Sequence, residues 1–173
     1  NLSASPFQVG KQNDREVIFG AQMREYRTPL VYVNQVGGND DLIFDGGSLV
    51  MDDKGTVVAR AKTFEEDLLV VDISSPRGPC PEYPGRLESL RRALVCGLRD
   101  YVRKCGFKSV VVGLSGGIDS ALTAALATEA LGAGNVHGVA LPSRFSSDHS
   151  LRDARGPVVV FRRGKTDAVI RLK

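Results

Sequence analysis

The apolar residues of the first part of the chain, up to about Ile73, stand mostly in short runs of β type. Two of these runs are "PLVYVNQVGG", which two glycines end, and "DLLVVDI", which is apolar enough for a buried strand. Between them, "GSLVMDDKGTVVARA" predicts a hairpin that turns at Asp52–Gly55, and Asp45–Ser48 predicts a bulge or turn between strands. One helix is predicted over Asp14–Arg27, with a loosely amphipathic set of apolar residues: Val17, Ile18, Ala21 and Tyr26.

A proline-rich segment, Ser74–Gly85, separates this part from the next. It holds four prolines and two glycines in twelve residues, which excludes a helix or a central strand. We interpret it as a linker. The predicted organisation is therefore a first unit at 1–73, the linker at 74–85, a second unit at 86–154 and an atypical tail at 155–173, in which "VVVFRRGKTDAVIRLK" predicts two short strands.

The second unit shows the pattern of an α/β protein. Its first helix carries an apolar stripe at three- and four-residue spacing and a glycine at its expected end: Leu87, Leu90, Leu94, Leu98, Tyr101, Cys105 and then Gly106. Strand "SVVVGL", a helix over Ile118–Leu131 and strand "NVHGVAL" follow as a βαβ unit whose elements look buried. Such a unit predicts a parallel sheet with a ligand at the carboxyl ends of its strands.

The turn between that strand and that helix, "GLSGGIDS", is richer in small and polar residues than a chain reversal needs. Unpaired N–H groups and the helix dipole make a helix N-terminus attractive to anions, and glycines let a phosphate approach the backbone. The plain alternative is a tight strand-to-helix turn. Walker A is excluded because Ile118 follows Gly117 where a lysine would be required, and GxGxxG is absent.

Composition narrows the class of protein. The 173 residues are 42% hydrophobic and 25% charged, as in ordinary globular domains, and a net charge of +3 without interleaved aromatics argues against nucleic-acid binding. No apolar run reaches the length of a membrane span, so we expect no membrane partner. Cys80, Cys96 and Cys105 make neither a CxxC pair nor a disulfide framework, which favours a cytoplasmic location, and Cys96 and Cys105 have core spacing. His137 and His149 are isolated and do not form a zinc motif.

Two sets of motifs resemble one family. "SGGIDS" resembles the pyrophosphate-binding loop (PP-loop) of the ATP pyrophosphatases, while "GVALPSRFSSDHS" and "LRDYVRKCGF" are similar to glutamine-dependent NAD synthetases. "NLSASPFQVGK" and "LVYVNQVGGNDDLIFDGGSLVMDDKGTVVARA" resemble the end of the nitrilase-like glutaminase domain of those synthetases. The resemblance implies an α/β fold: the C-terminal part of a nitrilase-like αββα sandwich, then the first βαβ unit of a parallel-sheet, adenine nucleotide α-hydrolase-like domain.

The resemblance also implies functional residues. ATP and Mg²⁺ are the expected cofactors, Asp119 the expected metal ligand and Ser115 the residue nearest the chemistry, and Ser5 and Lys11 match positions that bind glutamine. From spacing alone, Ser5 and Lys11 would be a capped turn and a surface lysine. The expected ATP-binding residues are Gly113, Leu114, Ser115, Gly116, Gly117, Ile118, Asp119 and Ser120.

The expected reaction belongs to NAD biosynthesis. The family amidates nicotinic acid adenine dinucleotide with ammonia from glutamine, releasing AMP and pyrophosphate, and we expect a homo-oligomer in the full-length enzyme. The family's cysteine nucleophile precedes "NLSASPF", so we expect a chain shortened at both ends that does not hydrolyse glutamine alone. The alternatives are a different ATP pyrophosphatase, making GMP or asparagine or thiolating tRNA, and a non-catalytic chain that binds a nucleotide or pyrophosphate.

Overall fold

The computed structural model describes residues 1–72, 74–115 and 117–139, together with the backbone of 161–163 and 166–168. Contacts between Cα atoms divide the chain into two compact units, Asn1–Gly97 and Leu98–Lys173. This division falls within a helix and not within the proline-rich segment. Each unit is therefore described by itself.

The first unit contains six strands and a helix before the proline-rich segment. In chain order these elements are β1 (Leu2–Ser3), α1 (Lys11–Tyr26), β2 (Leu30–Asn34), β3 (Val36–Asn39), β4 (Leu42–Asp45), β5 (Leu49–Met51) and β6 (Val57–Arg60). A four-stranded sheet has the order β1-β2-β5-β6, in which β1 is parallel to β2 and the other pairs are antiparallel. Strands β3 and β4 form a separate antiparallel pair. The two glycines expected to end the run before β4 lie inside β3 instead.

The predicted hairpin is confirmed as β5–β6. Gly55 closes its turn with a φ of 73°, and its N–H donates to the Asp52 carbonyl at 3.1 Å. The side chain of Asp52 stabilises the same turn, because its Oδ1 accepts hydrogen bonds from the N–H groups of Lys54 and Thr56. Between β4 and β5, Gly46 and Gly47 have φ values of 64° and 60°, so the predicted turn there is confirmed as well.

The strand predicted for "DLLVVDI" is wrong for the residues that the structure describes, which leave out Ile73. Leu68 and Val70 are 87% and 83% exposed, and no ladder includes them. The proline-rich segment occupies the edge of β6 instead: Gly78 donates to the Val58 carbonyl at 3.1 Å, and the Arg60 N–H donates to the Pro79 carbonyl at 2.8 Å. An apolar run becomes a strand only where an edge is available to pair with it.

The helix α1 exists where the pattern predicts one, but the predicted core face is wrong. Val17, Ile18 and Tyr26 are 70%, 55% and 68% exposed, whereas the buried side of the helix consists of Gln12, Arg15, Gly20 and Met23. The helix packs closely on the β5–β6 turn through Gly20, where an added Cβ would lie 3.1 Å from the Gly55 carbonyl oxygen. Glycine contact and buried polar groups therefore decide its orientation.

The helix α2 (Arg86–Lys104) ends as predicted but also buries a different face. Gly106 has a φ of 76°, and N–H groups of Gly106 and Phe107 donate to the carbonyls of Arg103 and Val102 in a Schellman motif. The leucine stripe expected in the core is largely exposed, with Leu87 at 81%, and Cys105 is exposed too. Small residues pack inward instead: Ala93 and Cys96 join Phe64 with Phe7 and Ile43, while an added Cβ on Gly97 would lie 2.8 Å from Ile43.

The second unit contains the predicted βαβ arrangement. Strand β7 (Val110–Gly113) leads into α3 (Ile118–Leu131), and β8 (Val136–Val139) pairs with β7 in parallel after a 3₁₀ turn. The tail shows the two short strands that the pattern predicts, β9 (Phe161–Arg163) and β10 (Thr166–Ala168), and the structure pairs them antiparallel. The elements are less buried than expected, since Val111 and Leu122 are 70% and 54% exposed. In the part of the chain that the structure describes, no helix could span a membrane.

Candidate functional site

The glycine turn lies at the carboxyl end of β7 and the amino end of α3, as the sequence predicts. The Leu114 N–H donates to the Val139 carbonyl at 2.8 Å, so the chain stays hydrogen-bonded to β8 for one residue beyond the end of β7. Ser115, Gly117, Ile118 and Asp119 are exposed. Gly116 lies outside the described residues. This places the predicted loop at the open carboxyl edge of a parallel strand pair, where α/β proteins bind ligands.

Two serine hydroxyls close the turn. Ser120 Oγ donates to the Gly117 carbonyl at 2.9 Å, accepts the Ser115 N–H at 3.3 Å and lies 3.2 Å from Ser115 Oγ. Ser115 Oγ accepts the Gly117 N–H at 3.3 Å. These bonds hold the loop in a compact form. Because Ser120 already donates its proton to a carbonyl, Ser115 is the hydroxyl better placed to turn toward a ligand.

The amino end of α3 is open to solvent. Gly117 stands at the N-cap with an extended backbone, and no side chain of the described residues caps the helix there. The N–H groups of a first helical turn have no partner within the helix, and its dipole adds about half a positive charge. A Cβ added to Gly113 would meet nothing within 4 Å, so the loop also has free space beside it. The geometry suits an anion.

Asp119 is exposed in the first turn of α3, where a carboxylate interacts favourably with the helix dipole. Across the described residues no three His, Cys, Asp or Glu side chains come together as a metal cluster. Asp119 would bind Mg²⁺ as a single exposed carboxylate. That is how Mg²⁺ usually binds beside phosphates, keeping several waters and contacting few protein carboxylates.

In the first unit, Lys11 contacts the residue that follows Ser5. The Lys11 ammonium donates to the carbonyl of Pro6, the residue after Ser5, at 3.0 Å. The segment itself is held along the sheet, since Phe7 donates to the Ile43 carbonyl and Pro6 bridges to Phe44. The structure thus places the half-buried Lys11 against the backbone of the segment that contains Ser5.

A buried polar cluster next to Ser5 was not predicted from the sequence. The carboxylate of Asp45, 1% exposed, accepts Gln12 Nε2 at 2.8 Å and Asn34 Nδ2 at 3.2 Å, and lies 3.5 Å from Arg15 Nη1. The cluster joins α1, β2 and β4. The sequence carried no signal for it, because Gln12 precedes the predicted helix and Arg15 lies opposite Val17 on that helix.

Tyr32 completes this cluster. Its ring lies under the Arg15 guanidinium, 5.1 Å from centroid to Cζ, and burial raises the pKa of its hydroxyl above the usual value while the Arg15 charge opposes that rise. Hydrogen bonding by the hydroxyls of Ser5 and Ser3 lowers the same pKa, although no group of the described residues is in normal hydrogen-bond geometry with Tyr32 Oη. Arg15 Nη1 is likewise buried and has no hydrogen-bond partner within the described part of the chain.

A cleft of about 580 Å³ adjoins the segment between Ser5 and α1. Phe7, Val9, Gly10, Gln12 and Asn13 form one wall, and residues 83–86 with Ser89 form the other. Ser5 and Lys11 are absent from its lining. Gln12 links the two features, because this residue lines the cleft and its side-chain amide donates to Asp45.

Comparison with known proteins identifies both units. Residues 90–162 match the family model for NAD synthase, and residues 10–78 match the model for carbon-nitrogen hydrolase. The chain belongs to the glutamine-dependent NAD(+) synthetase family. The two models occur in the order that the sequence motifs predict.

Individual relatives support this membership. The glutamine-dependent NAD(+) synthetases of Synechocystis sp. and Rhodobacter capsulatus are each 48% identical, over 89% and 88% of this chain, and that of Thermotoga maritima is 42% identical over 90%. Among solved structures, the Acinetobacter baumannii synthetase in complex with ADP is 40% identical, with a TM-score of 0.81 over 88% of this chain. The chain spans 29–33% of the length of these curated relatives and 30% of that structure.

Proposed function

We propose that this chain supplies the ATP-binding loop and part of the glutamine-binding unit of a glutamine-dependent NAD(+) synthetase. The overall reaction would be amidation of nicotinic acid adenine dinucleotide to NAD⁺, with ATP cleaved to AMP and pyrophosphate and ammonia derived from glutamine. The observation that carries the proposal is the uncapped amino end of α3 behind a glycine- and serine-rich turn. The substrates are inferred from the family to which the chain belongs.

In this proposal the loop from Gly113 to Ser120 binds the phosphates of ATP. Backbone N–H groups at the start of α3 would donate to phosphate oxygens, and the open space beside Gly113 would admit them. Leu114 would keep the loop attached to the sheet through its bond to Val139. Ser115 would contact the phosphates nearest the reacting bond. Donors fixed before the substrate arrives stabilise the charge that develops as pyrophosphate leaves.

Asp119 is the residue that would hold Mg²⁺. The bound ion would neutralise charge on the phosphates. The position is compatible with such a role because the carboxylate is exposed beside the phosphate-binding end of the helix. Ser5 and Lys11 would bind glutamine in the first unit, where the Lys11 ammonium lies against the Pro6 carbonyl. A cytoplasmic location and a homo-oligomeric state stay predictions from cysteine usage and from the family resemblance.

A second candidate function is binding of a nucleotide or pyrophosphate without catalysis. It is favoured by the local origin of the proposed donors, which all lie in the loop between β7 and α3 and in the first turn of α3. A steady-state assay with ammonia, ATP and nicotinic acid adenine dinucleotide separates the two. Formation of NAD⁺ and AMP would support the ligase, and phosphate binding without turnover would support the second function.

The phosphate-binding role is tested by Gly113→Val. The valine side chain would fill the free space beside the loop, so we expect pyrophosphate binding, measured by calorimetric titration, to weaken at least tenfold. The matched control is Gly134→Val, because Gly134 also has open space around its Cβ position and no positive φ, but lies beyond the other end of α3. If a folded Gly113→Val chain binds pyrophosphate as tightly as the parent does, the turn connects β7 to α3 without binding phosphate.

The metal role is tested by Asp119→Asn. Asparagine keeps the shape of the side chain but removes its charge, so we expect the Mg²⁺-dependent part of pyrophosphate affinity to fall and the part measured without Mg²⁺ to stay unchanged or rise slightly. Titrations in Mg²⁺ and in EDTA give the two parts. A uniform loss under both conditions would assign Asp119 to the loop's structure.

A further inference from the structure

Ser5 is held by an unusual amount of side-chain hydrogen bonding for a residue in a connecting segment. Its N–H donates to Asn34 Oδ1 at 2.8 Å, and its carbonyl accepts from Asn34 Nδ2 at 3.2 Å. One amide thus satisfies both backbone groups of Ser5. The Ser5 hydroxyl in turn accepts from Arg15 Nη2 at 3.3 Å. Both the backbone and the side chain of Ser5 are therefore contacted from the buried side of the unit.

The two residues that contact Ser5 depend on the same buried carboxylate. Asp45 Oδ1 accepts Asn34 Nδ2, and Asp45 Oδ2 lies 3.5 Å from Arg15 Nη1. Asn34 Nδ2 also donates to the Gly46 carbonyl at 3.1 Å, which leaves the amide one orientation. Asp45 and Arg15 side chains are 1% and 5% exposed, so both charges are desolvated.

Folding alone does not account for this arrangement. Desolvating an ion pair is costly. A buried ion pair can often be replaced by apolar residues of similar volume without loss of stability. Here the pair is long, and none of the described residues hydrogen-bonds the buried Arg15 Nη1 or Tyr32 Oη. The clearest structural effect of the cluster is that its hydrogen bonds hold Ser5 in one position.

We propose that Arg15 and Asn34 are positioning residues, which hold Ser5 in the orientation that binds glutamine, with Asp45 fixing both of them. The proposal rests on the glutamine-binding role proposed for Ser5 above. Asn34 sets the backbone of Ser5 through two hydrogen bonds, and Arg15 sets its hydroxyl. Arg15 and Asn34 act on glutamine only through Ser5.

Arg15→Lys in the 173-residue chain separates positioning from a purely structural role. Lysine keeps the charge opposite Asp45 but has no second nitrogen for Ser5 Oγ, so a structural role is preserved and a positioning role is lost. The matched control is Arg24→Lys, since Arg24 lies on the same helix and is exposed. The first readout is the Ser5 χ1 rotamer, from three-bond Hα–Hβ couplings by NMR. The second is glutamine affinity.

We expect one Ser5 rotamer in the parent and in Arg24→Lys, rotamer averaging in Arg15→Lys, and glutamine affinity about tenfold weaker in Arg15→Lys. A single Ser5 rotamer in Arg15→Lys would overturn the positioning role, whether or not glutamine binds. If Ser5 becomes averaged while Ser5→Ala binds glutamine as well as the parent does, the glutamine role of Ser5 fails and its positioning by Arg15 stands.

Asn34→Ala tests the backbone half of the proposal independently. We expect amide exchange of Ser5 to become about tenfold faster relative to that of Phe7, whose N–H bonds the Ile43 carbonyl and serves as an internal reference. Unchanged relative exchange would remove Asn34 from the proposal. If the variant unfolds, both amides lose protection together, and this too would overturn a local positioning role for Asn34.

Discussion

Tyr83 is a partly buried tyrosine whose contacts predict a pH dependence of stability. Its ring stacks on the Arg60 guanidinium at 4.2 Å, and its hydroxyl donates to the Gly47 carbonyl at 3.3 Å. Burial raises the pKa of Tyr83 to about 12, against the opposing charge of Arg60. The folded chain therefore keeps the phenol proton at a pH at which the unfolded chain loses it.

Rising pH destabilises the folded chain here, because the unfolded chain loses the Tyr83 proton first. The contribution of Tyr83 to stability is complete below pH 10, the ordinary pKa of tyrosine, and we expect it to be lost as pH rises from about 10 to about 12. Urea denaturation from pH 8 to 12 measures it. Tyr83→Phe should lose part of the alkaline decline, whereas Tyr26→Phe, at an exposed position, should keep it. An identical decline in all three chains would contradict the assignment.

At the scale of elements, the contact between α1 and the β5–β6 hairpin turn provides a sharp test of packing. A Cβ on Gly55 would clash with the backbone carbonyl of Gly20, and Gly55 also has a positive φ of 73°. Gly106 has a similar φ of 76° at the end of α2, but a Cβ there would meet nothing within 4 Å.

We therefore expect Gly55→Ala to destabilise the chain more than Gly106→Ala does. The backbone term alone costs roughly 1–2 kcal/mol and applies to both variants, while the steric clash applies only to Gly55→Ala. Chemical denaturation of the two variants measures the difference. Equal losses would mean that α1 and the hairpin can separate without cost, and hence that the glycine contact does not orient the helix.

The helices also show which side-chain patterns fail as guides to packing. Apolar spacing predicted the presence of α1 and α2, but the exposed Val17 and Leu87 belong to the stripes assigned to the core. In both helices a glycine or small-residue face packs inward instead, because it allows a closer approach of backbones. Hydrophobic period locates a helix, and the shape of the neighbouring surface decides which face is buried.

At the scale of the whole molecule, the first unit has a small apolar core. Its two clusters of buried residues are Met23, Tyr32, Leu49 and Met51, and Phe64, Ala93 and Cys96. Val31 and Val33, on the other face of β2, are 46% and 44% exposed. An apolar sheet face that is left partly uncovered contributes little to stability.

We expect low protection from hydrogen exchange across residues 30–72 when the chain is monomeric. Local opening of such a unit should need little free energy, because few buried side chains have to separate. Exchange measured by mass spectrometry, on samples shown by sedimentation to be monomers, is the test. Strong protection in a demonstrated monomer would contradict this expectation and show that the apolar core of the first unit is sufficient to keep it folded.

The sequence by itself determined the βαβ unit, the hairpin and the glycine- and serine-rich turn before α3, because these features depend on neighbours along the chain. Glycines at the turn of β5–β6 and at the end of α2, and the small polar loop before α3, impose local backbone geometry wherever the chain folds. The motif of the loop also indicated the family. Local chemistry was sufficient for these conclusions.

Only the tertiary structure decided which faces are buried and how Ser5 is surrounded. The polar cluster joins residues from α1, β2 and β4 that no spacing rule relates, and the edge of β6 is taken by Gly78 and Pro79 instead of the apolar run before them. These outcomes depend on contacts between segments distant along the chain. Burial of an arginine or exposure of a leucine is a property of the assembled surfaces, and no single segment encodes it.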